Sequence, residues 1–335
     1  MRRLTNAAAL LIACVGTAPL RAAPQQAAPG PNFDNVQVHS LHVQGNVWML
    51  VAGPFNAAVS IGDDGVLVVD TMVEPLADKF LAEIRKLAGD KPIRYIINTH
   101  FHPDHTGGNA KVNAAGESIV AGNFAAQVGP NAAKEAIVIA HENTQIRMGQ
   151  LTPPPPFSAL PSDTFFTAAK DFFFNGEAVQ IRHQPAAHTD GDVVVFFRRS
   201  DVIVAGDVYM NTTFPIVRAG EGGSFQGVID ALNRIIDLTV PKEKQEGGTF
   251  VIPGHGRLAD EADVVEYRDM NTIIRDRFQD AISKGMTLAQ IKAARLVRDY
   301  EGRYGASMGF WTTDNFVEAV YRSLSQPPAT TSQKR

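Results

Sequence analysis

The chain has 335 residues, 44% of them hydrophobic and 20% charged, a composition that excludes disorder as its main state. Lysine and arginine total 31 against 35 acidic residues, so no basic excess exists to neutralise phosphates, which argues against a nucleic-acid partner. The single cysteine, Cys14, excludes an intrachain disulfide and a cysteine-built metal cluster, and leaves nine histidines to be placed.

Taken in chain order, Arg2 and Arg3 precede an apolar run from Ala7 to Val15, and Leu20-Arg21-Ala22 offers a small residue at a cleavage point. Residues 1–22 therefore read as a secretory signal peptide, and a periplasmic or secreted protein is expected. Leu11-Ile12-Ala13-Cys14 also resembles a bacterial lipoprotein box, which would place a lipid anchor on Cys14. Residues 23–32 form an Ala/Pro/Gln-rich flexible linker. Strands are predicted over 36–43, 47–51, 57–61 and 66–69, separated by Gly45-Asn46, Gly53-Pro54 and Gly62-Asp63-Asp64-Gly65. The stripe Phe80, Leu81, Ile84 and Leu87 predicts a helix over 75–87, followed by a buried strand over 93–97.

A helix is expected over 134–148, then a stiff connector over 151–161 that contains Pro153–Pro156 and offers itself as a surface connector or a lid. Further strands are predicted over 164–166, 178–182, 193–197, 202–205 and 250–252, with a helix over 225–238 before the last. Helices over 259–282, 287–297 and 314–324 close the body, and residues 326–335 form a disordered tail. Two halves, each a sheet followed by helices, point to one domain over 33–325 with two packed sheets and helices outside. No segment beyond the leader is long and apolar enough to cross a bilayer.

Four metal-capable side chains fall within six residues in His100-Phe101-His102-Pro103-Asp104-His105. In an extended segment residues two apart point the same way, so His100 and His102 can converge on one ion while Phe101 packs in the core. Pro103 bars a regular helix through them, and Asp104 and His105 lie past the kink. His188, Asp207 and His255 each stand where a strand is expected to feed a Gly-rich turn, Asp207 at the end of the strand over 202–205. His39 and His42 are expected at a surface or edge, His183 as structural, and His141 on a helix surface or cleft rim. Arg218 reads as a solvated loop charge or a binder of a substrate carboxylate, and Tyr209 as core packing or an oxyanion donor.

The His-x-His-x-Asp-His motif at 100–105, followed in order by His188, Asp207 and His255 and preceded by Val68-Val69-Asp70, resembles the metallo-β-lactamase superfamily. The resemblance implies an α+β fold, a four-layer αββα sandwich with the metal site at one edge between the sheets. It implies one zinc ion on His100, His102 and His188 and a second on Asp104, His105 and His255. Asp207 would bridge the two, and Asp70 would fix the motif loop. Two zinc ions about 3.5–4 Å apart would hold a bridging hydroxide. Asp104 would orient that nucleophile, making it the catalytic residue as well as a ligand.

The function that follows is an exported dinuclear-zinc metallo-hydrolase cleaving an ester, thioester, lactone or β-lactam amide in a small-molecule substrate. True β-lactamases of the superfamily often carry Cys or Ser where this chain has Asp207, and the bridging Asp is more like that of glyoxalase II and general hydrolases. His102 argues against flavodiiron proteins, and the 48 positions from Asp207 to His255 leave no room for the insert of the nuclease branch. A mononuclear-iron persulfide dioxygenase, using His100, His102 and Asp207, and a non-catalytic secreted zinc-binding module are the alternatives.

Overall fold

The computed structural model describes residues 32–118, 134–244 and 247–325. The expected signal peptide, the lipoprotein box at Cys14, nearly all of the linker and the C-terminal tail lie outside the described residues. Residues 1–35 and 36–335 cluster as separate units, and the fold is that of the second. Among the described residues no helix is long and apolar enough to cross a membrane.

The first sheet runs His39–Gln44 (β1), Val47–Ala52 (β2), Phe55–Gly62 (β3), Gly65–Val69 (β4), Ile93–Ile97 (β5), Ile137–His141 (β6) and Asp163–Phe165 (β7), in that spatial order. β1 to β4 form an antiparallel meander, and β4 to β7 pair in parallel. The second sheet holds Ala169–Phe174 (β8), Glu177–His183 (β9), Val193–Phe197 (β10), Val202–Met210 (β11), Phe250–His255 (β12) and Ala259–Asp260 (β13), again in sequence order. Only β11 and β12 pair in parallel there, joined through a helix.

Helices follow as Ala77–Ala88 (α1), Pro103–Thr106 (α2), Asn109–Ala114 (α3), Glu142–Gln150 (α4), Phe225–Leu238 (α5), Glu261–Ser283 (α6), Leu288–Ala294 (α7), Arg298–Tyr304 (α8) and Thr313–Ser325 (α9). Met49, Leu67, Val69 and Ile97 of the first sheet pack on Val179, Ile181, Val195 and Ile252 of the second and form the central layer. The other face of the second sheet, through Val194, Phe196 and Ile203, packs on Leu232, Ile235, Ile274 and Phe316 of the helices. Phe80 and Ile84 of α1 are buried on the first sheet's side. The result is the four-layer αββα sandwich. Each sheet buries both faces, which is why β4, β10 and β11 read as continuous apolar runs rather than alternating ones.

Several elements differ from the sequence expectation. The segment 134–148 is not one helix: Ile137-Val138-Ile139 pairs in parallel with β5, and the helix begins only after His141, whose Nδ1 accepts from the Asn143 amide. The β-branched run decides the strand, and the polar residues after it supplied the misleading helical period. β8 and α8 were not anticipated. The helix expected from 259 starts at Glu261, because Asp260 and Asp263 form a capping box. The helix expected to 297 stops at Ala294, where Arg295 turns left-handed. The proline-rich connector accepts hydrogen bonds from Asn113 at Ser158 and from Asn109 at Ala159, which ties it beside the motif helices rather than over the site.

Candidate metal centre

The structure brings all seven expected ligand-type side chains to the same edge of the sandwich. β5 ends at Ile97, and the chain then bends through Thr99, His100 and Phe101 rather than running on extended. His102, with extended backbone, leads into α2, and the bend still brings the His100 and His102 rings together, their centroids 4.7 Å apart. Pro103 then opens α2, where its missing N–H costs nothing, and that single turn carries Asp104 and His105 to a neighbouring position. His188 comes from the loop between β9 and β10, and His255 is the last residue of β12. Asp207 differs from expectation: it does not end a strand but lies within β11, where the register with β12 shifts around Gly206.

Two ligand sets result, His100/His102/His188/Asp207 and Asp104/His105/His255, the donor atoms within each lying no more than 4.8 Å apart. In the first, Nδ1 of His102 is 2.9 Å from Nε2 of His100 and 3.1 Å from Nε2 of His188. In the second, Nε2 of His255 is 3.3 Å from Asp104 Oδ2. Asp207 stands between them. Its Oδ2 lies 3.5 Å from His188 and 3.8 Å from His100, while its Oδ1 lies 3.2 Å from His105 and 3.3 Å from His255. Two glycines make this approach possible: a Cβ on Gly254 would sit 2.1 Å from Asp207 Oδ1, and one on Gly206 (φ +51°) 2.6 Å from Thr99 Oγ1.

Each of the five histidines turns one ring nitrogen inward and anchors the other outward. His105 Nδ1 donates to Asp70 Oδ2 (2.8 Å), His188 Nδ1 to Ile216 O (2.5 Å), His255 Nδ1 to Pro54 O (2.8 Å) and His102 Nε2 to Glu221 Oε2 (2.8 Å). His100 Nδ1 meets Thr99 Oγ1 (3.2 Å), which itself donates to Asp70 Oδ2 (2.7 Å). In a neutral imidazole an outward N–H on an acceptor leaves the inward nitrogen with its lone pair, the form that ligates a metal. Asp70 thus supports both sets, directly through His105 and through Thr99 for His100. It holds a left-handed backbone (φ 62°), strain of the kind found at functional sites.

The two sets differ electrostatically. Burial, aided by neighbouring imidazolium charge, pushes His100 well below the usual histidine range, and burial brings His188 down to about 4. Burial also pulls on His105 and His255, but Asp207 and the other carboxylates outweigh it, holding His105 well above its ordinary range and His255 at about 10. Reciprocally, Asp207 resists its burial because His255 and His105 face it.

The residues fit a bound cation. His105 Nε2 and Asp207 Oδ1 are buried and, although 3.2 Å apart, form no hydrogen bond, an arrangement costly without a third partner. Imidazole and carboxylate together are a zinc-compatible donor set.

Beside the centre opens a cleft of about 570 Å³. His102, Asp104, His188, Asp207 and His255 line it, with apolar walls that include Phe55, Ile216 and Phe310. Arg218 lines it too and is partly buried, so it is not the solvated loop charge expected. Tyr209 is core, its ring edge-on to Tyr267 at 5.3 Å. His141, expected at a helix surface or cleft rim, is instead buried, stacked on His183 at 3.6 Å, and absent from the cleft lining. His39 and His42 are exposed on edge strand β1. Glu221, Thr99 and the segment 308–311 were missed by sequence reasoning. A carboxylate in the glycine-rich loop Gly220–Gly223 was the one visible signal among them.

A sandwich with two His/Asp sets at one sheet edge defines a metal-binding protein of the αββα class. Residues 43–255 match the family model of the metallo-beta-lactamase superfamily, and the chain belongs to that superfamily. It is 26% identical over 253 residues to a linear primary-alkylsulfatase of a Pseudomonas strain, a match covering 67% of this chain and 46% of that protein. It is 36% identical over 87 residues to the alpha subunit of a 2,4-dinitroanisole O-demethylase from a Nocardioides strain, covering 26% of each chain. The chain therefore spans about half the length, or less, of these curated relatives. Among solved structures it resembles a stereoselective inverting sec-alkylsulfatase from Pseudomonas sp. (TM-score 0.60, 15% identity, 88% of this chain and 52% of that one). It also resembles a metallo-beta-lactamase from Pontibacter korlensis (TM-score 0.51, 17% identity, 70% and 99%).

Proposed function

We propose that the protein is an exported dinuclear-zinc hydrolase that cleaves an ester, thioester, lactone or β-lactam amide in a small-molecule substrate. The observation that carries this reading is the pair of buried, hydrogen-bond-free atoms His105 Nε2 and Asp207 Oδ1 at the junction of two ligand sets. His100, His102 and His188 would hold one ion, Asp104, His105 and His255 the other, with one Asp207 oxygen toward each. Bound there, zinc supplies a Lewis acid for the substrate's oxygen and lowers the pKa of coordinated water toward 7. Asp104, whose carboxylate faces the cleft, orients the attacking water by accepting one of its hydrogens. The outward anchors keep the imidazoles from turning as substrate enters, and the apolar walls exclude bulk water from the attacked bond.

The similarity to alkylsulfatases adds sulfate esters as a second reading of the scissile bond. Measuring metal content alongside turnover of thioester, lactone, β-lactam, carboxylic-ester and alkyl-sulfate substrates tests both. Two zinc ions per chain with metal-dependent hydrolysis is the expected result. Full hydrolysis by metal-stripped protein overturns the reading, and one iron per chain replaces it with the dioxygenase alternative. His102→Ala is expected to abolish turnover, whereas a non-catalytic zinc module would keep its partner. Export rests on the leader-like residues 1–22, and cell fractionation checks it.

A further inference from the structure

We propose that Arg147 is a positioning residue for the first ligand set: its guanidinium ties together the segments that carry or anchor His100, His102 and His188, and so fixes the geometry in which they receive a metal ion. This rests on the reading of that set as a metal site and adds a residue that makes no hydrogen bond to any of the ligand-type side chains.

Three contacts carry it. Arg147 stands in the last turn of α4 and grips Asp190, two residues after His188, with a two-pronged ion pair: Nε to Oδ1 at 2.5 Å and one terminal nitrogen to Oδ2 at 2.6 Å. The Asp190 amide donates to Glu221 O (3.0 Å), and the Glu221 carboxylate accepts from His102 Nε2. Gly222 (φ +81°) lies so close that a Cβ there would sit 2.7 Å from that of Asp190, so the two loops move as one. The guanidinium also lies 5.8 Å from the ring centroid of Phe101, the residue between His100 and His102. No hydrogen bond, ion pair or ring contact of Arg147 among the described residues involves Asp104, His105 or His255.

The pair suits placement better than stability. Its side chains are 19% and 34% exposed, where screening leaves an ion pair little to add to folding, but a planar fork on a carboxylate fixes direction. Asn143 and Thr144 of the same helix already hold the main chain at Asp190 O and Gly191 O. Arg147 is the one partner of the Asp190 carboxylate among the described residues. The ligand with most need of it is His102, whose side chain is 14% exposed against 1% for His100 and His188. Packing holds those two, whereas His102 depends on Glu221 and therefore on the loop that Asp190 braces.

The test reads zinc affinity by chelator competition in the full chain on two backgrounds, His255→Ala, which leaves the first set, and His188→Ala, which leaves the second. Arg147→Met is expected to weaken zinc about tenfold on the first background and less than about twofold on the second. The visible spectrum of cobalt(II) in the first set should shift with it, a change in ligand geometry that lost stability alone does not produce. Arg147→Lys keeps the charge without the fork and should restore part of the affinity. Asp190→Asn should reproduce the one-sided loss and add nothing to Arg147→Met, since both break the same link. If Arg147→Met fails to fold, Arg147→Lys and Asp190→Asn carry the same comparison. Unchanged affinity and spectrum in the first set overturn the proposal, as does an equal loss in both sets, which would make the ion pair a brace of the fold. A parent protein that binds no zinc removes the metal reading and this proposal with it, whereas a parent with two ions and an indifferent Arg147 removes this proposal alone.

Discussion

The two ligand sets share Asp207 but are held in different ways. The first is three imidazoles, two of them almost fully buried, locked by a hydroxyl, a backbone carbonyl and the Glu221 carboxylate. The second mixes one carboxylate with two imidazoles, and its Asp104 and His255 remain open to solvent at 29% and 18% side-chain exposure. Burial keeps His100 and His188 neutral, whereas the carboxylates around His105 and His255 favour their charged forms. One set is therefore organised by packing and the other by charge. Removing a support should show which set depends on it.

The largest effect is expected where the sets meet. Asp207→Asn removes the charge facing both, so both ions should be lost and hydrolysis should fall by more than the roughly 100-fold that a supporting residue costs. Metal analysis after dialysis checks this, and retention of one ion would show that the sets are independent. Asp70→Asn comes next. It breaks the direct anchor of His105 and the relayed anchor of His100, so chelator competition should show affinity falling about 10- to 100-fold at both positions. A loss confined to one position would mean that the Thr99 relay carries nothing.

A smaller and one-sided effect is expected from Thr99→Val and from Glu221→Ala. Each releases an imidazole of the first set alone, His100 or His102. About a tenfold weakening of one ion, with the second ion's affinity unchanged, is the expected chelator titration. Equal weakening of both would show that the packed set is not separately supported.

That asymmetry also explains what was legible beforehand. The motif at 100–105 concentrates its ligands where a short bend and Pro103 act locally, so residue types alone define the chemistry. His188 and His255 were visible as ligand types near turns. Asp207 was visible too, but its place within β11 was not, because the strand's length is set by pairing with β12. Glu221 reaches His102 across 119 positions of sequence, and no local pattern announces such a contact. The wall at 308–311 was hidden for the same reason. His141 was misread because a strand and a helix adjoin at that residue, and their junction mimicked one continuous helix.

The smallest effect separates burial as such from burial in the service of a ligand. His141 is buried like His188, and burial together with the adjacent His183 brings its pKa to about 4 as well, yet it stacks on His183 and serves as a helix cap. The unfolded chain takes up this proton near the ordinary histidine value of 6.5, and the folded chain refuses it until about 4. Unfolding between these values therefore binds a proton, so the stability is complete above pH 6.5 and is lost as the pH falls toward 4. Urea unfolding of chelator-treated protein should show His141's share of the acid loss, the difference between the parent and a His141 variant, as about 1–2 kcal/mol across that window once solvent screening is allowed for. Asn caps a helix without titrating, so His141→Asn should cost about 1 kcal/mol at pH 8 and flatten the acid slope. An unchanged slope would assign the acid sensitivity to the ligand histidines, and the packed set would then be the one that fails first in acid.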